Sequence, residues 1–169
     1  MPERTTVVKP RQFSYSGLFS FSEIHQIIQN HWLKLGYEKM EIRHEVKDFK
    51  TKTEYDLWAT FEFEYTDQES FHVMQILNVT SFEKVEVSIN GEKKVLNKGN
   101  FFIQYTGRLK TDIDDIWRSK GIYRILSYFA NTYIFNKHLK EIKKKGREDC
   151  EALYDKLMRY FNAYRDYEQ

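Results

Sequence analysis

The sequence predicts an α+β domain, an antiparallel β-meander of about five to six strands packed on a long C-terminal helix. Three observations predict it. From Tyr37 to Lys110 apolar and polar side chains alternate in runs separated by short polar turns, the pattern of strands with one buried face. The stretch Ile122 to Lys145 carries two apolar stripes at helical spacing. One is Ile122, Leu126, Phe129, Ala130 and Tyr133, and the other is Ile125, Thr132, Phe135, Leu139 and Ile142. A surface helix needs one apolar face, so two ask for cover on both sides, from the sheet and from a following helix. Finally, 12 Tyr, 13 Phe and 3 Trp supply the apolar mass while only 7 Gly and 2 Pro are present, which favours an ordered domain with short turns.

Taken in order, residues 1–10 read as a flexible tail and residues 11–169 as a single domain. Phe13 and Tyr15 begin a short strand that ends near Gly17. The first helix has a strong start, with Ser20 and Glu23 at capping-box spacing and Phe19 and Ile24 at the flanking staple positions. Its apolar face is Ile24, Ile27, Ile28, Trp32 and Leu35, and Gly36 supplies the left-handed stop. Met40, Ile42 and Val46 then share one face of a strand. The next strand turns Tyr55, Leu57, Ala59, Phe61, Phe63 and Tyr65 inward and mostly acids outward. Residues 71–82 and 85–89 read as two further strands. Asn90-Gly91 is a two-residue hairpin signal, because a type I′ turn needs positive φ at both positions. A return strand reaches Leu96, Asn97 to Asn100 form a turn, and Phe101 to Lys110 make the last strand. Thr111 to Asp115 suit a helix start, and Gly121 breaks that segment before the long helix. Lys143, Lys144, Lys145 and Gly146 read as a helix end, so a final antiparallel helix from Arg147 to about Tyr164 folds back on its predecessor.

Composition excludes several classes of function. Cys150 is the single cysteine, so there is no internal disulfide, thiolate cluster or CxxC redox pair. A reducing compartment follows, and with no apolar run of membrane-span length a cytoplasmic protein is expected. A net charge of +2 argues for no polyanion by itself. Among His25, His31, His44, His72 and His138 no pair has the helical i, i+4 spacing of a zinc site. No nucleophile elbow or phosphate-binding loop is present. Cys150 falls on a buried stripe in the first turn of the expected last helix, where a cysteine serves as a small core residue ahead of the alternative, a thiol activated by the helix N-terminus. The expectation is a protein that is not an enzyme and takes no metal or cofactor.

Three features address binding. Trp58 interrupts the outward series Glu54, Asp56, Thr60, Glu62 and Glu64, while Met74, Ile76 and Phe102 have the parity opposite to their inward neighbours. Adjacent strands would join these four into an apolar patch with a charged rim, suited to a protein partner or to self-association. Lys137, Lys140, Lys143, Lys144, Lys145 and Arg147 form a basic cluster that suits RNA phosphates but, diluted by Glu141, Glu148, Asp149 and Glu151, better suits a solvated helix end. The order of elements, strand, helix, run of strands and long C-terminal helix, resembles the helix-grip architecture. That resemblance implies a binding module for a hydrophobic small molecule held between sheet and helix.

Overall fold

Period-two burial in the strands and a single apolar stripe on each helix together place every described helix on one side of one sheet. The computed structural model describes residues 3–48, 53–66, 69–89, 92–111 and 136–165. Within them, β1 (Glu3–Phe19), β2 (Glu38–Asp48), β3 (Thr53–Thr66), β4 (Glu69–Ile89) and β5 (Glu92–Thr111) form a five-stranded antiparallel sheet in the order β1-β5-β4-β3-β2. Strands β2 to β5 are a meander, and β1 closes onto β5 from the other edge. Two helices are described, α1 (Phe21–Lys34) and α2 (Asn136–Arg165).

The inner face of the sheet carries Phe13 and Tyr15 of β1, Tyr55, Leu57, Ala59 and Phe61 of β3, Phe71, Val73, Leu77 and Val79 of β4, and Phe101, Ile103, Tyr105 and Leu109 of β5, all buried. Ile24, Ile28 and Trp32 of α1 and Ile142, Cys150, Leu153, Leu157 and Phe161 of α2 complete the same core. Trp32 stacks on Phe61 with 5.6 Å between ring centroids. Phe161 lies 4.5 Å from Tyr15 and 5.0 Å from both Phe13 and Phe101. Such ring pairs each add about 0.5–1.5 kcal/mol beyond their burial.

Half of the expected capping box forms, with Ser20 Oγ accepting from the Glu23 N–H at 3.4 Å, and Gly36 turns the chain at φ +86° as expected. The Glu23 carboxylate also accepts from Tyr164 at 2.9 Å, and Tyr160 accepts from the Ser20 N–H at 2.9 Å. The cap of α1 is thereby tied to the last turns of α2.

Several expectations are corrected. Residues 3–10 are not a tail; they extend β1, pairing from Glu3 with Thr111 onward. The segments 71–82 and 85–89 are two arms of the single strand β4, bent where the register shifts between Thr80 and Glu83 and Ser81 takes φ 55°. Residues 92–96 and 101–110 likewise belong to the continuous β5. Met40 and Val46 do not share a face: a register shift between Glu41 and Arg43 sets Met40 beside outward Thr60 and Val46 beside inward Tyr55. A bulge reverses parity in this way. Ile89 pairs with Glu92, leaving two residues for the hairpin connection. The expected Asn90-Gly91 turn itself, the helix start after Thr111 and the stripes of Ile122 to Phe135 lie outside the described residues.

The expected final antiparallel helix is also corrected, because α2 runs unbroken through Gly146. The glycine is there for proximity. A Cβ at Gly146 would meet the Phe71 ring, with Cε1 only 2.7 Å away, and a Cβ at Gly107 would lie 2.8 Å from Phe71 Cζ. The fully buried ring of Phe71 therefore sits between two glycines. On helix propensity alone, Gly146→Ala would stabilise by about 1 kcal/mol. Crowding a packed core costs about 1–3 kcal/mol, so the expected outcome is a lower urea midpoint for Gly146→Ala. A raised midpoint would show that the close approach does not require glycine.

Candidate functional site

The outer face of the sheet is covered by neither described helix. Its residues follow from the register. Trp58 pairs with Ile76 and Ile76 with Gln104; Thr60 pairs with Met74 and Met74 with Thr106; Asp56 pairs with Asn78 and Asn78 with Phe102. The four residues expected to form a patch do lie on one face: Trp58 is directly opposite Ile76, Met74 is on the next row, and Phe102 is diagonal to Ile76. Diagonal neighbours remain within reach of long and aromatic side chains. Trp58 and Met74 are each 38% exposed, and Ile76 and Phe102 are half-buried. Met40, 56% exposed and opposite Thr60, extends the patch onto β2. Sequence reasoning missed it because the β2 bulge was not anticipated. Thr60 and Thr106, on either side of Met74, are buried, so the centre of this surface is closely packed.

Polar groups hold the patch in place. The Trp58 indole N–H donates to Asp56 at 3.0 Å. Arg43, on the row of Trp58, lies 2.7 Å from Glu45 and holds that carboxyl below its usual range. Glu45, Lys47, Glu54, Asp56, Asn78 and Thr80 line an open cavity of about 160 Å³ beside the patch. Small-molecule sites usually occupy about 300–1,000 Å³.

On the inner side, α1 and α2 meet at a buried polar seam. Tyr37 donates to the Asp149 carboxylate at 2.9 Å, and His31 Nε2 lies 2.8 Å from the Asp149 carbonyl oxygen. That carbonyl accepts, so the proton is on Nε2 and Nδ1 is free to accept from Lys156 Nζ at 2.9 Å. Burial, with Lys156 adding to it, lowers the His31 pKa despite the opposing Asp149 carbonyl. Tyr105 donates to the Cys150 carbonyl at 3.2 Å. The Tyr65 hydroxyl is buried without a partner, and burial with nearby Asp149 pushes its pKa up to about 12. This seam joins the two helices; its members His31, Tyr37, Tyr105 and Asp149 are buried, and it reaches solvent at Lys156.

Cys150 is in the interior of α2 rather than in a first turn, so no helix N-terminus favours its thiolate. Burial, followed by the carboxylates of Asp149 and Glu151, pushes its pKa up to about 12. The basic cluster is partly committed to the protein itself. Lys145 Nζ lies 4.3 Å over the Phe63 ring, and Lys144 pairs with Glu148 at 3.8 Å. Lys137, Lys140 and Arg147 are exposed, and Lys143 is half-buried. Among the described residues, no group of three or more His, Cys, Asp or Glu is arranged to hold a metal ion, and no helix is long and apolar enough to cross a membrane.

No family model and no curated protein matches this chain.

Two measurements test the seam. His31 binds its proton less readily folded than unfolded, so its contribution is fully present above about pH 6.5 and declines as pH falls toward the lowered folded pKa. His72 is lowered in the same direction, mainly by burial. The urea midpoint is expected to drop between pH 7 and pH 5, and to drop less in His31→Gln; equal slopes would remove His31 from the account. Cys150 is expected to resist a maleimide in the folded protein and to react fully in urea, as read by mass spectrometry. Rapid native labelling would contradict its enclosure.

Proposed function

We propose that this protein is a non-catalytic interaction or assembly subunit that binds a protein partner through the outer face of its sheet. One observation carries the reading: Trp58, Ile76 and Met74 are contiguous in the pairing of β3 with β4, and large apolar side chains there face away from both described helices. Surfaces with an apolar centre and a polar rim are the usual form of protein interfaces, and tryptophan is the most enriched anchor in them. Isolated exposed apolar residues need no explanation, but a run spanning β2, β3, β4 and β5 is a surface.

The small-molecule reading has less support. Phe161 packs within 4.5–5.0 Å of three rings from β1 and β5, and Gly146 lies against Phe71, so this part of the helix-sheet interface is filled. RNA contact has less support as well, because Lys144 and Lys145 already engage Glu148 and Phe63.

Association is tested by sedimentation of the pure chain and by affinity capture from its own host, using the parent, Trp58→Glu and Phe102→Glu. A buried charge at an interface anchor is expected to weaken association about thirtyfold or more, with the far-UV spectrum unchanged. Full association in both folded variants would reject this surface.

A further inference from the structure

The outer face is divided by charge across its strands. On β2 and β3 the outward residues include Glu38, Glu54, Asp56, Glu62 and Glu64, while Arg43 and Lys47 are both engaged by Glu45 at 2.7 and 3.8 Å. On β1 and β5 the outward charges are Arg4, Arg108 and Lys110, and between rows 4 and 16 of β1 and 100 and 110 of β5 no carboxylate shares their parity. Between the two halves runs β4, whose outward Met74 and Ile76 are apolar. The face is thus acidic on the β2–β3 side, basic at the Arg4, Arg108 and Lys110 end of the β1–β5 side, and apolar in the middle of β4, where Met74 and Ile76 stand between His72 and Asn78.

Resting on the outer-face reading above, we propose that the partner for this surface is a second copy of this chain, in a face-to-face pair whose two-fold axis runs along β4. Rotation about that axis keeps strand direction and places β3 of each copy over β5 of the other, and β2 over β1. Glu62 and Glu64 of each copy then cover Arg108 and Lys110 of the other, twice over, as an isologous interface requires. Met74 and Ile76, near the axis, meet their counterparts. Trp58 lands over the Phe102 to Gln104 stretch of the second copy. An axis across the strands would instead set the β2–β3 carboxylates against themselves, and like charges in an interface act against association. Packed sheets keep their strands within about 30° of each other, which this axis permits.

The available area agrees. Five strands about 4.8 Å apart and some ten residues at about 3.3 Å each present a face of about 800 Å². A stable protein interface buries about 800 Å² on each partner. Charge complementarity sets the register here, and the apolar centre of Trp58, Met74, Ile76 and Phe102 supplies the affinity.

Glu64 and Lys110 provide the decisive test. Both pair with Ser70, one from each side, so they lie two strands apart within a chain. In the proposed pair, Glu64 of one copy faces Lys110 of the other. Sedimentation equilibrium of the full chain is expected to give a dimer with a micromolar dissociation constant. Trp58→Glu should weaken it about thirtyfold or more, and Glu64→Lys or Lys110→Glu each about fivefold. The double variant should recover to within about twofold of the parent. A parent that stays monomeric to about 100 µM, a dimer indifferent to Trp58→Glu, or a double variant no better than the single ones overturns the proposal. Gln104→p-benzoylphenylalanine, photolysed in extract of the host, separates that failure from failure of the underlying reading. A cross-link to a different protein keeps the outer face as a docking surface without the second copy, and no cross-link at all removes both.

Discussion

The placement of α2 depends on one ring. Phe71 stands on the inner face of β4 with Gly107 beside it and Gly146 above it, and neither glycine leaves room for a Cβ. Without side chains at those two positions, the helix axis can come down onto the sheet at that point. The remaining contacts follow from that seating. Eleven residues further along a helix is almost exactly three turns, and so Leu157 returns to the face Gly146 occupies. Phe161, one turn beyond, reaches the rings of Phe13, Tyr15 and Phe101.

Seating α2 there also brings its main chain to side chains of other elements. The carbonyl oxygens of Asp149 and Cys150 take hydrogen bonds from His31 of α1 and Tyr105 of β5. Tyr160 and Tyr164 reach back to the cap of α1. The polar groups that this burial strands are almost all answered within the seam, Tyr65 being the one buried side-chain group among the described residues without a partner. Because these contacts lie on one side of the sheet, neither described helix covers the other side. The candidate site is a consequence of where the helices went.

Local signals were legible wherever one short segment decides the structure. Ser20, Glu23 and Gly36 announce α1 because caps are made by residues a few positions apart. The alternation through β3 announces its buried face because side-chain direction has a period of two. The outward grouping of Trp58, Met74, Ile76 and Phe102 was legible for the same reason. Bulges were not. The shifts between Glu41 and Arg43 and between Thr80 and Glu83 leave no composition signal, yet the first moved Met40 into the candidate surface and the second joined two apparent strands into one.

Gly146 marks the boundary between the two kinds of information. Following three lysines, a glycine reads as a helix end, since cations and glycine both favour that position; nothing local reveals an aromatic ring 75 residues earlier in the chain. By itself the sequence determined the alternation of strands, the cap of α1 and the inward parity of β3, because those properties belong to neighbours along the chain. Only the tertiary structure decided that α2 is continuous, that β1 pairs beside β5 and that Glu62 and Glu64 stand across β4 from Arg108 and Lys110. Each of those facts depends on which distant strands or rings are brought together, and that is set by packing.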